Sequence, residues 1–269
     1  MRTEEAWERA ARVLATRPAA LVSDVDGTLS PIAPSPEEAY VLPECRAALK
    51  VLATRLDLVA VLSGRPAEQA RLMVALDELL YVGNHGLELW DRVRGYRSEA
   101  TAYEAETARI FRRLENEIEG IHGARLENKG TIIAIHYRAS SQPDDARRMI
   151  LDAATRVLAG TAFTVSEGKK VIELRPPMAA DKGSVVVKLV EEYQLKSIVF
   201  IGDDLTDVDA IRKVKELRRQ GMVAGLTLGV TGDETPAELT AEADALLPGP
   251  SAVAAFLLAL STAFPQHTA

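Results

Sequence analysis

Three polar segments of the chain carry residue types that could perform chemistry on an anionic substrate: DVDGT at 24–28, SGR at 63–65 and GDDLTD at 202–207. In the first segment, Asp24 and Asp26 alternate along an extended chain, which predicts that both lie on the same side. Two carboxylates this close resist joint ionisation, so one is expected to hold a proton near neutral pH. Such a pair can act as nucleophile and general acid/base.

The second acidic segment places Asp203, Asp204 and Asp207 within five residues. These carboxylates would repel one another, and the repulsion is relieved by a hard cation. Mg²⁺ prefers a few carboxylates, water and a phosphate oxygen, so the segment predicts a magnesium site. Capping of the following helix by Thr206 or Asp207 is an alternative that does not exclude metal binding.

Several groups are suited to binding an anion. Gly27 lets the backbone approach a ligand closely, and Thr28 adds a hydroxyl. SGR at 63–65 offers a hydroxyl and backbone N–H groups at a predicted helix start. Lys182, in DKG, can place a positive charge on both a nucleophilic carboxylate and a phosphate. A solvated surface lysine is the alternative for Lys182.

The elements that must position these groups are continuous apolar runs at 19–22, 58–62 and 198–201, each read as a buried strand. Helical patterns follow at 43–55, 66–75, 182–193 and 207–219. Strands alternating with helices predict an α/β fold, a Rossmann-like core built on a parallel sheet. Because ligands bind at the carboxyl ends of such strands, the three polar segments are expected to meet in one crevice.

The middle of the chain has a different pattern. Predicted helices at 101–119 and 143–158 are interleaved with strand-like pieces at 124–128, 131–138, 162–166 and 170–175. Short turns between strands favour an antiparallel sheet that carries two helices. We therefore predict an inserted α+β cap domain at 100–176, with the core domain at 1–99 and 177–269.

Together, DVDGT, SGR, Lys182 and GDDLTD resemble the four motifs of the haloacid dehalogenase phosphatase superfamily. Within it, the chain is similar to the trehalose 6-phosphate phosphatases through DVDGTLSPI, GNHGLE, ENKGTIIAIHYR, GKKVIELRP, DKG and GDDLTD, which run from about residue 20 to 210. It departs from the family pattern at Val208 and Ile211, on the predicted helix after the last motif.

The resemblance implies a Mg²⁺-dependent phosphatase for trehalose 6-phosphate, the last step of trehalose biosynthesis. Asp24 would form an aspartyl-phosphate, and Asp26 would protonate the leaving oxygen and then activate water. The Mg²⁺ ligands implied are Asp24, the backbone carbonyl of Asp26, and Asp203. The phosphoryl oxygens would be bound by Thr28, Ser63, Gly64, Arg65 and Lys182, while Asp204 and Asp207 are expected to support these groups from behind.

The predicted cap carries the groups expected to choose the sugar. Alternation places Lys169, Val171, Glu173 and Arg175 on one strand face, opposite Lys170, Ile172 and Leu174. Because the two cap helices are expected to cover the apolar side, the charged side is free to bind a substrate. The sugar ligands implied by the resemblance are His85, Glu127, Lys129, Arg138, Lys169 and Glu173.

Composition and charge narrow the possible partners and the expected location of the protein. The net charge of -7 argues against a nucleic-acid partner, and residues 100–176, with 12 Lys+Arg and 11 Asp+Glu, form the less acidic part. The start lacks a signal-peptide pattern, and the apolar run near 251–260 is too short to span a membrane and predicts a core helix. A cytoplasmic protein with no membrane partner is the expectation. The single cysteine, Cys45, is read as a packing residue.

Two alternatives keep the chemistry but change the outcome: a phosphatase for another glycosyl phosphate, such as a mannosylglycerate-type osmolyte precursor, or a sugar-phosphate mutase. A non-enzymatic binding protein is the third, although it would be expected to lack Asp24 or Lys182. The sequence leaves open a partnership with a trehalose-phosphate synthase.

Overall fold

The structure is a computed structural model that describes residues 3–34, 38–178 and 181–264. The chain divides into two compact units, Met1–Arg97 with Ala180–Ala269, and Ser98–Ala179. The second unit lies between the two halves of the first in chain order. Its bounds differ by up to three residues from the predicted cap at 100–176, and its role in choosing a substrate stays a prediction.

The described residues form twelve strands and nine α-helices. In chain order the strands are β1 (Ala19–Ser23), β2 (Leu58–Leu62), β3 (Leu80–Gly83), β4 (Glu88–Asp91), β5 (Gly95–Ser98), β6 (Arg125–Asn128), β7 (Ile133–His136), β8 (Thr164–Gly168), β9 (Val171–Arg175), β10 (Ser197–Gly202), β11 (Ala224–Thr231) and β12 (Ala245–Pro248). The helices are α1 (Thr3–Leu14), α2 (Pro43–Ala53), α3 (Ala67–Val74), α4 (Glu104–Ile118), α5 (Pro143–Leu158), α6 (Lys182–Glu192), α7 (Leu205–Arg219), α8 (Ala237–Glu242) and α9 (Gly249–Ala263).

The first unit is built on an eight-stranded sheet in the order β12-β11-β10-β1-β2-β3-β4-β5. From β12 to β3 all neighbours are parallel, and β4 runs antiparallel to β3. Every residue of β1, β2 and β10 is buried, as expected for strands covered by helices on both faces. The predicted α/β fold with a parallel sheet is confirmed.

Two apolar clusters cover the two faces of this sheet. One contains Cys45 of α2 and the interior of α9, which confirms that the run near 251–260 is a core helix. Burial raises the pKa of the Cys45 thiol to about 12, so the residue packs and does not react. The other cluster contains Val208 and Ile211 of α7. The two departures from the family pattern are therefore buried packing positions.

The second unit has a four-stranded sheet in the order β6-β7-β9-β8, with antiparallel pairs throughout. Ile133 and Ile135 of β7, with Ile172 and Leu174 of β9, pack in an apolar cluster with α4 and α5. The predicted antiparallel sheet carrying two helices is thus present. No helix of the described segments is long and apolar enough to cross a membrane.

Candidate active site

Lys182 occupies the centre of the polar groups in the first unit. Its ammonium donates to Asp24 Oδ1 and to Asp207 Oδ1, each at 2.6 Å, and its side chain is almost completely buried. Lys182 is the first residue of α6, whose start is fixed by Asp181, which accepts a hydrogen bond from Ser184 N–H. The alternative of a solvated surface lysine is wrong, because this cation bridges two buried carboxylates.

The start of α7 organises the acidic segment. Asp204 is the N-cap and accepts from the N–H groups of Thr206 and Asp207. Asp207 completes a capping box with Asp204, so the predicted capping by Asp207 is present in that form, whereas Thr206 is not the N-cap. Asp207 accepts the N–H groups of Asp203 and Asp204 through Oδ2, at 3.0 and 3.1 Å. Gly202 allows this contact, since a Cβ there would lie 2.3 Å from Asp207 Cγ.

Asp24, Asp203 and Asp207 form a buried carboxylate cluster, with one ligand oxygen from each lying within 4.8 Å of the others. Asp207 already uses its two oxygens on Lys182 and on backbone N–H groups, so Asp24 and Asp203 are the better cation ligands. A Cβ at Gly27, whose φ is +86°, would lie 2.2 Å from Asp203 Oδ2. The glycine therefore brings the 24–28 segment directly against the Asp203 carboxylate.

The electrostatics of the cluster favour a further positive charge. Burial raises the pKa of Asp24 well above its usual range, and the Asp207 and Asp203 carboxylates raise it further against the opposing effect of Lys182. Burial also raises the pKa of Asp207. Burial alone would lower the pKa of Lys182, but Asp207 and Asp24 hold it well above the usual value. Three buried carboxylates face this one ammonium, and an all-oxygen, anionic donor set suits a hard divalent cation.

Asp26 lies outside this cluster. Strand β1 ends at Ser23, before the aspartates, and the Asp26 carboxylate turns to Arg65, which donates from Nε and NH2 at 2.7 Å each. The sequence predicted that the Asp24 and Asp26 carboxylates lie close enough to resist joint ionisation, whereas in the structure the Asp26 carboxylate forms a bidentate ion pair with Arg65. Such a fork fixes the orientation of the Asp26 carboxylate. It also occupies the Arg65 guanidinium, whose binding of phosphate stays a prediction.

The other predicted anion-binding groups lie in the same unit. Thr28 is buried, and its Oγ1 has no hydrogen-bond partner, which costs free energy unless a ligand or solvent satisfies it. Ser63 follows β2, and its hydroxyl accepts the N–H of Arg65 at 3.1 Å. A Cβ at Gly64 would lie 2.8 Å from His85 Nε2, so the imidazole rests against this glycine.

His85 sits in a tight turn at Asn84–Gly86 between β3 and β4. Its backbone N–H donates to Ser63 O at 3.1 Å, and Asn84 N–H donates to Arg65 O at 2.8 Å. The turn is therefore tied to the predicted phosphate-binding loop. Glu88 is a residue that sequence reasoning missed: it is buried, and it accepts hydrogen bonds from Ala67 N–H and from the Asn84 side chain.

In the second unit, the predicted sugar ligands Glu127 and Glu173 occupy one face of the sheet. Register places Ala134 of β7 opposite both carboxylate-bearing residues, Glu127 on one side and Glu173 on the other. Lys129 donates to Glu173 Oε1 at 2.8 Å, and Arg175 donates to Glu173 Oε2 at 2.7 Å. This polar face, opposite the apolar cluster, has alternating charges joined into pairs.

Arg138 and Lys169 lie together at one end of that sheet, where Arg138 NH2 donates to Lys169 O at 3.2 Å. The strand predicted to begin at Lys170 begins at Val171, and Lys170 has φ +61°. Lys169 and Lys170 thus form the turn between β8 and β9 rather than opposite faces of a strand. The face prediction holds from Val171 onward.

His136 is a second residue that received no role from the sequence. Its Nε2 lies 2.7 Å from Glu127 Oε2. Burial tends to raise the pKa of Glu127, but the hydrogen bond to His136 and the Lys129 charge lower it overall. Period-two alternation along β7 already put His136 beside Ala134 on the polar face, so the signal was present. Alternation along one strand does not show which residue of a neighbouring strand lies diagonally opposite, here Glu127 of β6.

The chain resembles known proteins over most of its length. The trehalose-phosphatase family model matches residues 22–239. A trehalose-phosphate phosphatase of Mycobacterium avium is 34% identical over 85% of this chain and 59% of the relative. An uncharacterized glycosyl hydrolase of Mycobacterium tuberculosis is 34% identical over 78% of this chain and 16% of the relative. The chain thus spans less than two thirds of these relatives.

Solved structures agree with the fold. The C-terminal domain of the Candida albicans trehalose-6-phosphate phosphatase superposes with a TM-score of 0.79 at 21% identity, covering 97% of each chain. At this identity the likeness establishes the fold, and it confirms the predicted haloacid dehalogenase-like class. The match of the family model to residues 22–239 goes further: this chain belongs to the trehalose-phosphatase family.

Proposed function

We propose that this protein hydrolyses trehalose 6-phosphate to trehalose and inorganic phosphate, the final step of trehalose synthesis. One observation carries the proposal: the Lys182 ammonium joins Asp24 to Asp207 inside a buried carboxylate cluster at the carboxyl ends of β1 and β10. A nucleophile, a fixed cation and a cation-binding donor set are the parts that phosphoryl transfer requires. Family membership supports trehalose 6-phosphate as the substrate.

Asp24 is the proposed nucleophile. A carboxylate oxygen attacks phosphorus, the bond from phosphorus to the sugar oxygen breaks, and an aspartyl-phosphate forms on Asp24. Lys182, at 2.6 Å from Asp24 Oδ1, orients the carboxylate and favours its ionised form against the larger, opposing effect of burial on the Asp24 pKa. The same ammonium offsets charge on the transferring group.

Asp26 is the proposed general acid and base. It donates a proton to the leaving sugar oxygen, then takes one from the water that attacks the aspartyl-phosphate and releases phosphate. The bidentate bond from Arg65 fixes the direction of the Asp26 carboxylate. Thr28 Oγ1 and the 63–65 loop are the proposed donors to the phosphoryl oxygens.

Asp24, Asp203 and the backbone carbonyl of Asp26 are the proposed ligands of Mg²⁺, with Asp204 and Asp207 holding the start of α7 behind them. When bound, this ion supplies positive charge that the cluster of three carboxylates lacks. The fit rests on hard oxygen donors and on the glycine at position 27. Chelation should abolish turnover, and added Mg²⁺ should restore it.

The polar face of the second unit is the proposed sugar site, and the unit itself is the proposed cap. Glu127, Lys129, Arg138, Lys169 and Glu173 provide charged donors and acceptors that match sugar hydroxyls. For His85, which lies in the first unit, binding of the sugar stays a prediction. A synthase partner stays a prediction, as does a cytoplasmic location.

Phosphate release from a panel of substrates, with Mg²⁺ present, tests the proposal. The panel contains trehalose 6-phosphate, glucose 6-phosphate, a mannosylglycerate phosphate and 4-nitrophenyl phosphate. We expect kcat/KM for trehalose 6-phosphate to exceed the other sugar phosphates by about 10²-fold or more, since unpaired polar groups in the site penalise a wrong sugar. A higher value for another glycosyl phosphate would assign the protein to that substrate. Transfer of labelled phosphate to a second sugar would indicate a mutase.

A further inference from the structure

The turn that carries His85 has an unusual backbone. Asn84, His85 and Gly86 have φ values of 47°, 57° and 114°, three consecutive residues on the left-handed side. Only glycine adopts such values without cost, and asparagine and histidine do so at some expense. Strained segments of this kind persist only where the surroundings over-determine them, and they concentrate at functional sites.

The surroundings that hold this turn centre on Glu88. Its Oε1 accepts the Asn84 side-chain N–H₂ at 2.6 Å, and its Oε2 accepts the N–H of Ala67, the first residue of α3, at 2.9 Å. Glu88 is only 2% exposed. Gly83 allows the end of β3 to approach the start of α3 closely, since a Cβ there would lie 2.1 Å from Ala67 N. Glu88 therefore joins the strained turn to the helix start that follows the 63–65 loop.

We infer that the Glu88–Asn84 pair is a positioning device for the reaction: it locks the strained turn so that the His85 imidazole stays against Gly64 in the phosphate-binding loop. This inference rests on the proposed function, because it assigns the turn to that site. Backbone bonds from His85 N–H to Ser63 O and from Asn84 N–H to Arg65 O transmit the position of the turn to the loop. Glu88 acts on the turn through its bonds to Asn84 and Ala67.

The pair can be broken and rebuilt by exchanging donor and acceptor. N84D places a second carboxylate against Glu88, and aspartate tolerates the left-handed backbone nearly as well as asparagine. The double variant N84D/E88Q reverses the bond, because the new amide donates to the new carboxylate while its oxygen still accepts from Ala67 N–H. E88D, which keeps the charge and shortens the side chain by one methylene, tests the same pair if N84D does not fold.

Two readouts are needed, one independent of turnover. The first is the ¹H–¹³C NMR signal of the His85 imidazole, one of only four histidines in the chain, assigned by its loss in H85N. The second is kcat/KM on 4-nitrophenyl phosphate, measured well below the melting temperature. D244N serves as the control for lost stability, because Asp244 bonds Arg218 and Thr227 and none of the site residues.

We expect N84D to shift the His85 signal and to lower kcat/KM by about 10- to 100-fold, the loss that a small misplacement of a binding group causes. The double variant should restore both, and D244N should alter neither. The inference is overturned if N84D leaves the position of the His85 signal unchanged and kcat/KM within about 2-fold of the parent. It is also overturned if N84D/E88Q restores neither the signal nor kcat/KM. If the parent protein releases no phosphate at all, the proposed function fails, and the NMR comparison still decides whether the pair positions His85.

Discussion

The two units hold their charged side chains by different means. In the first unit, Asp204 and Asp207 are fixed by backbone N–H groups at the start of α7, and Asp207 in turn fixes Lys182. In the second unit, the charged groups on the polar face are fixed by one another, as in the bond from Lys129 to Glu173. A hydrogen bond from a backbone N–H group is not readily exchanged for another, whereas a hydrogen bond between two side chains can be.

This difference matches the proposed roles, in which the first unit performs the chemistry and the polar face of the second unit selects the sugar. A site in which Asp204 and Asp207 are anchored to a helix start, and Asp24 is held through Lys182 at the start of another helix, keeps its geometry whichever phosphate ester is bound, as preorganised electrostatics requires. A face of paired side chains can replace each internal bond with one to a sugar hydroxyl at small net cost. We therefore expect substitutions in the carboxylate cluster of the first unit to affect all substrates and those on the polar face to affect sugar phosphates alone.

The largest effect is expected from D24N. Loss of the nucleophile should lower kcat by at least about 10³-fold on trehalose 6-phosphate and on 4-nitrophenyl phosphate alike. Burial raises the pKa of Asp24, so the neutral amide should not lower the melting temperature. Phosphate release and thermal unfolding check both statements. Full activity of D24N would remove the covalent mechanism and, with it, the contrast between the units.

The buried parts of the fold were predictable because burial leaves a simple pattern. Continuous apolar runs mark β1, β2 and β10, and the polar segment after each marks the edge where ligands collect. By contrast, β4 and β5 mix polar and apolar residues, with several half-buried side chains, so nothing in their composition separates them from a loop. The antiparallel pairing of β4 with β3 depends on the turn at Asn84–Gly86, which only the backbone reveals.

The site was predictable to the level of which segments converge, but not to the level of individual bonds. Asp24, Lys182 and Asp203 meet because strand ends and a helix start bring them together. The turn of Asp26 toward Arg65 depends on side-chain rotamers that no spacing encodes. Glu88 was missed for a different reason: a glutamate on a short strand normally points to solvent, and only its two buried hydrogen bonds distinguish it.

A smaller and more selective effect is expected from E173A. The change removes the acceptor shared by Lys129 and Arg175, and kcat/KM on trehalose 6-phosphate should fall by about 10²-fold, as a lost polar contact to substrate predicts. Activity on 4-nitrophenyl phosphate should be unchanged. E167A is the matched control, because Glu167 lies on the neighbouring strand and pairs with exposed Arg147. Equal losses on both substrates would contradict the proposal that the polar face selects the sugar while the first unit performs the chemistry.

A tenfold effect is expected from H136F, which keeps a ring but removes the bond to Glu127. That bond lowers the pKa of Glu127 against the effect of burial and holds its direction. We expect KM for trehalose 6-phosphate to rise by about 10-fold with little change in kcat, because binding is lost equally in ground and transition states. H136Q, whose amide N–H₂ can donate to Glu127, should recover most of the loss. A fall in kcat on both substrates would instead place His136 in the chemistry.

The smallest effect on activity is expected from D244N, which tests whether a hydrogen-bonded carboxylate in the first unit matters for stability away from the site. Although burial tends to raise it, hydrogen bonds from Arg218 and from Thr227 lower the pKa of Asp244 overall. A lowered pKa in the folded state means that the carboxylate contributes stability above about pH 4, its ordinary range, and that this contribution is lost as the pH falls further.

D244N should therefore melt about 4 °C below the parent at neutral pH. The two melting curves should converge as the pH is lowered below about 4, with kcat/KM unchanged at pH 7. A constant difference in melting temperature down to acid pH would mean that shape, rather than charge, holds the Arg218–Asp244 contact, and anchoring by ionised carboxylates would not extend beyond the active site.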